Sequence, residues 1–277
     1  MSTFVPLSKN SHKSFKFKNL TNFSSLKGQN ICPVCIAELR QINANWPLAF
    51  LKKPDETLGL FVLQGFEPGQ NLAIDEKGFW LSPYVPSVNR TLPFKFSPNK
   101  EGEDLILVYD QDLDCVREEN KADDTFHPIF EKNDVFSENF TQLLNFMKNI
   151  TDNLKLTGDL INQLNDAGLI IEWPIDLKFK QGKKVLKGLY KINEEKLYKL
   201  SSKLLTNLMK TKALELAFGQ IFSIGNLERL AATHIRVSGD EKLIPEKMSL
   251  REEALAKQKK EENKELNELV KNLMSDE

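Results

Sequence analysis

Cysteine is scarce in this chain, with three residues among 277. A protein this long with so few thiols is not a disulfide-built scaffold. No run of about 18 apolar residues occurs, so no membrane-spanning helix is expected. An excess of either charge is missing too: 38 Lys and Arg stand against 39 Asp and Glu, a formal net charge of -1. Proteins built to hold phosphate backbones carry a strong basic excess, so nucleic acid is not expected as a partner. His12, His127 and His234 lie far apart, with no HxH or HExxH pair, and give no local support for a metal site. Neither GxGxxG, nor a P-loop, nor a GxSxG elbow is present, and no cofactor is expected. Asp110, Asp112 and Asp114 begin like a calcium loop. Cys115 stands where that loop needs Gly, and Lys121 where its closing Glu belongs, so the motif fails.

What is present is core material. Hydrophobic residues make up 40% of the chain, with 18 Phe among them, which excludes a wholly disordered protein. The segment before Glu38 has no acidic residue and carries Lys9, Lys13, Lys16, Lys18 and Lys27. Phe15 and Phe17 alternate with Lys16 and Lys18, which reads as a half-buried strand rather than a basic arm. Phe4-Val5-Pro6-Leu7 is too short for a secretory h-region, and the expected compartment is the cytoplasm.

Periodicity and turn chemistry predict an α+β fold, a strand-rich N-terminal module packed with a C-terminal helical module. Residues 1–134 form the first module and 135–240 the mainly helical second, with a charged helical tail over 241–277. Strands are predicted at 14–18, 48–52, 58–64, 71–74 and 105–109, separated by Pro-, Gly- and Asn-bearing turns. A helix is predicted over 33–45, because Pro33 suits a first helical turn, and a short one at 85–91. Phe136, Phe140, Leu143, Leu144, Met147, Ile150 and Leu154 make an apolar helical stripe, with Ser137 as its N-cap and Gly168 as the stop. Strands at 170–179 and 185–192 follow, the first limited to an edge by Trp173-Pro174. Helices run from Asn193 to about His234.

Two constellations carry possible chemistry. Cys32-Pro33-Val34-Cys35 has the spacing of a redox pair, and at a helix N-terminus the first thiol would be acidified. Its upstream segment is polar, whereas redox motifs of this type follow an apolar strand. Two ordinary buried thiols are the other reading, and a metal role would need further ligands. The stretch 78–94 holds three prolines, several aromatics and Arg90. Prolines lower the entropy of ordering it. Trp80 and Tyr84 suit either ligand contact or core filling. Arg90 suits a carboxylate or phosphate ligand, or a buried ion pair with a carboxylate such as Asp110.

The same stretch carries a family resemblance. It begins with Asn45-Trp46-Pro47-Leu48-Ala49-Phe50 and continues through Gly65-Phe66-Glu67-Pro68-Gly69-Gln70-Asn71-Leu72. Gly78-Phe79-Trp80, Pro83-Tyr84-Val85-Pro86, Arg90 and Pro93-Phe94 follow. Gly188-Leu189-Tyr190 and Ile224-Gly225-Asn226-Leu227-Glu228-Arg229-Leu230 close it. Over about Val5 to Leu230 the chain resembles the SapC family, bacterial proteins named for association with surface-layer protein loci. The Cys pair is not part of that pattern. The resemblance implies a surface-layer or envelope context and transfers no catalytic residue. The expected function is binding of a protein or peptide of that pathway, with Trp80, Tyr84 and Arg90 as the contact. The alternative is an enzyme, either a thiol oxidoreductase using Cys32 and Cys35 or a peptide-modifying enzyme.

Overall fold

The computed structural model describes residues 3–99, 104–179, 182–238 and 244–245. The expected tail helix over 241–277 lies almost wholly outside them. The fold is α+β. Its centre is a five-stranded antiparallel sheet in the order Ile170–Glu172, Leu189–Ile192, Leu48–Lys52, Leu58–Leu63, Ile31–Pro33. Strands from both sides of residue 135 therefore hydrogen-bond in one sheet. Both faces of the sheet are covered, so its central strands read as apolar runs rather than alternating ones. Leu48 and Phe50 pair with Val62 and Leu60 and point into the larger core. Ala49 and Leu63 face the other way, against Trp173, Ile175, Leu177 and the helix Asn226–Ser238.

The helix Glu138–Asp166 runs along two core clusters. Ser137 caps it, its hydroxyl accepting from the Phe140 amide, and Gly168 ends it at φ +63°. The first turns bury Phe140 and Met147 against Phe17, Phe94, Tyr109, Ile129 and Phe130. The last turns bury Leu160, Ile161 and Leu164 against the central sheet. Two small sheets support the first turns. One has the order Phe4–Pro6, Leu105–Asp110, Phe94–Pro98, and the other Val116–Glu118, Phe15–Phe17, His127–Pro128. Among the described residues no helix is long and apolar enough to cross a membrane.

One polar device locks helix to sheet. Leu48–Lys52 and Leu189–Ile192 pair at only two registers before they part. Past that point the buried Gln220 amide bridges them, donating to the Leu48 carbonyl and accepting from the Ile192 amide, both at 3.0 Å. Ser223 Oγ accepts from the Leu48 amide at 2.9 Å. Buried backbone groups that the ladder abandons are thus still paired.

Four expectations need correction; one is the strand at 185–192, which is two strands of different sheets, Gly182–Leu186 and Leu189–Ile192, parted by Gly188 at φ +80°. Residues 71–74 form turns with one isolated bridge, Ile74 to Trp80, rather than a strand, and the Asn71 side chain takes the Ala73 amide out of any ladder. Its Nδ2 donates to the Leu26 carbonyl and its Oδ1 accepts from the Ala73 amide. The stretch 33–45 is not one helix. Pro33 ends a strand, a 3₁₀ turn follows over Ile36–Glu38, and the helix proper is Leu39–Asn43. Residues 170–179 split at Trp173-Pro174 into the sheet edge Ile170–Glu172 and a separate strand, Ile175–Phe179.

Candidate binding site

A tight turn launches the segment 78–94. Asp75 Oδ1 accepts from the Lys77 and Phe79 amides. Gly78 sits at φ +90°, and a Cβ there would lie 2.3 Å from both Asn22 Oδ1 and Ser24 Oγ. Only glycine fits both the backbone conformation and the space. Trp80 then packs edge-on against Phe23, with ring centroids 5.4 Å apart, and its Nε1 donates to the Tyr84 carbonyl at 2.9 Å. Trp80 thereby fixes the path of the loop from within.

The loop is rooted on Glu38, a carboxylate only 3% exposed. Oε1 accepts from the Tyr84 hydroxyl at 3.0 Å and from the Ser87 amide at 2.6 Å. Oε2 accepts from the Cys35 amide at 3.0 Å and from the Cys35 thiol at 3.3 Å. A buried carboxylate without a salt bridge is tolerable only where donors surround it, and these four do. The local reason is a capping box. Cys35 occupies the N-cap of the 3₁₀ turn, and Glu38 reaches back to its amide.

The two sequence constellations therefore meet. Cys35 and Tyr84 share Glu38, while the Cys32 thiol lies 3.6 Å from Asn89 Oδ1, next to Arg90. Cys32 and Cys35 are both free and buried. Burial first, and the Glu38 charge second, push the Cys35 thiol up to about 12 and the Cys32 thiol higher still. The same two causes raise the Tyr84 hydroxyl. Such surroundings disfavour a thiolate, the form redox and metal chemistry require. Among the described residues no three His, Cys, Asp or Glu gather to hold a metal ion.

Arg90 points the other way, outward. Its Nη2 donates to the Tyr84 hydroxyl at 3.1 Å, and the guanidinium lies 5.2 Å from the Tyr84 ring centre and 4.9 Å from that of Phe146. No ion pair with Asp110 forms. That buried carboxylate accepts from the Asp112 amide, and Arg90 has no acidic partner among the described residues. Arg90 lines a pocket of about 550 Å³. Phe23 and Phe146 supply apolar wall, while His127, Asn139 and Gln142 supply polar groups. The pocket lies within the size range of ligand sites, and among the described residues no Asp or Glu lines it. Of the three expected contact residues, Arg90 alone lines this pocket. Trp80 and Tyr84 hold the loop that carries it. The sequence reading missed Glu38, whose one local signal was its place three residues after Cys35.

The family model named SapC matches residues 7–230, and the chain belongs to that family. No curated protein and no solved structure matches it.

Proposed function

We propose that this member of the SapC family serves bacterial surface-layer or envelope biogenesis by binding a protein or peptide in the Arg90 pocket. The observation that carries the reading is Arg90 itself, a guanidinium held between two aromatic rings with no acidic partner among the described residues. A guanidinium fixed in this way presents a planar fork suited to a carboxylate. The neighbouring Leu20, Val85 and Leu143 suit an apolar side chain, and Asn139 and Gln142 suit backbone groups. An acidic residue or a chain end beside an apolar residue is the chemistry that fits. A cytoplasmic site of action is part of the proposal, and three free thiols accord with a reducing compartment. The enzyme alternative has less support, since the thiols are buried and raised and, among the described residues, no carboxylate lines the pocket beside His127.

Selection from a library of short peptides tests the reading. Selected peptides are expected to carry a carboxylate beside an apolar residue. Their affinity should fall about tenfold or more for Arg90→Ala, the loss of a charge-assisted pair. Peptides that bind Arg90→Ala as tightly as the unaltered protein would overturn it.

A further inference from the structure

We propose that a second pocket, of about 420 Å³, binds a small organic oxyanion, a phosphate or carboxylate carried on an apolar body. It shares no lining residue with the Arg90 pocket. Its cationic wall is the helix Asn226–Ser238, where Arg229, Thr233 and Arg236 stand at i, i+4 and i+7 and so share one face. Among the described residues no Asp or Glu lines the pocket and neither arginine forms a salt bridge. Arg229 reaches the Ala44 carbonyl at a long 3.4 Å, which leaves most of its donors for a ligand.

A second observation is independent of the arginines. Trp46 and Ser82 both line the pocket, and the buried Trp46 Nε1 and Ser82 Oγ have no hydrogen-bond partner among the described residues. An indole N–H can only donate, and an unpaired buried donor costs about 1–3 kcal/mol. Asn226 Nδ2 donates to the Asn43 and Trp46 carbonyls and so ties Trp46 to the arginine helix. The site thus offers two exposed guanidinium groups, and every charged side chain lining it among the described residues is positive. That set selects an oxyanion. Leu72, Leu81 and Leu230 complete the wall, and Leu81 is 55% exposed, which favours a ligand with an apolar body over a bare ion.

The test uses the full chain and the indole N–H resonances of its three tryptophans. The Trp46 resonance is identified by its loss in Trp46→Phe. Phenyl phosphate, benzoate, inorganic phosphate and neutral benzyl alcohol are titrated separately. Phenyl phosphate or benzoate is expected to move the Trp46 resonance along a saturating curve, and the tighter of the two names the headgroup. Inorganic phosphate and benzyl alcohol should bind at least about tenfold more weakly. Arg229→Gln with Arg236→Gln should weaken binding about tenfold or more, as loss of charge-assisted bonds requires. Both residues are exposed, so the thermal midpoint should barely move. The proposal is overturned if neither aromatic anion gives a saturable shift. It is equally overturned if benzyl alcohol or the double variant gives the same curve.

Discussion

The Tyr84 hydroxyl donates to the buried Oε1 of Glu38 at 3.0 Å and, on its other side, accepts from Arg90 at 3.1 Å. One phenol thus links the least exposed carboxylate of the site to its exposed cation. Removing the carboxylate should be the more damaging change. Glu38→Ala would leave the Cys35 and Ser87 amides and the Tyr84 hydroxyl without their acceptor. At about 1 kcal/mol or more for each orphaned group, the loss should reach roughly 3 kcal/mol. Tyr84→Phe removes one donor of four and should cost about 1 kcal/mol. Urea unfolding of the two variants checks the order.

How far this site was legible in the sequence follows from where its partners lie. Leu48–Lys52 emerged with its bounds intact because Pro47 and the turn at Pro54 bracket an apolar run. The cap at Ser137 and the stop at Gly168 were equally local signals. Glu38 was not legible as a site residue. Its partners Tyr84 and Ser87 lie 46 and 49 residues away, beyond any periodic pattern. Residues 71–74 misled for a related reason. Leu72, Ala73 and Ile74 are buried like a strand, but the bonds of the Asn71 side chain are invisible to a hydropathy pattern. Strands of two or three residues, such as Val116–Glu118 and His127–Pro128, are too short to alternate detectably.

The thiols set a pH dependence with a definite sign. Cys32 and Cys35 are raised above the ordinary thiol value of 9.0, so the folded protein keeps protons that the unfolded chain releases. Their contribution is complete below pH 9.0 and is lost as pH rises toward about 12. The urea midpoint should therefore fall with rising alkalinity, and fall less steeply in Cys32→Ser with Cys35→Ser. Parallel slopes for the two proteins would mean that the thiols ionise as easily folded as unfolded.

Gly78 should be intolerant of a single methyl. Gly78→Ala places a Cβ against Asn22 and Ser24 and strains a backbone at φ +90°. The expected loss is about 1–3 kcal/mol. Gly69→Ala is the comparison, with a similar φ of +87° but nothing within 4 Å of its Cβ. It should cost less, and thermal melts of the pair separate crowding from backbone strain.

The central claim is that Arg90 is a contact group carried on a scaffold made by Trp80, Tyr84 and Glu38. A paired measurement on Arg90→Ala tests it most directly, with a urea melt and a titration of the selected peptide on the same preparation. An exposed guanidinium that stacks on two rings but closes no ion pair should cost less than about 1 kcal/mol in the melt. The titration should show the affinity reduced about tenfold or more. A melt shifted by several kcal/mol with peptide binding intact would make Arg90 part of the scaffold and contradict the account.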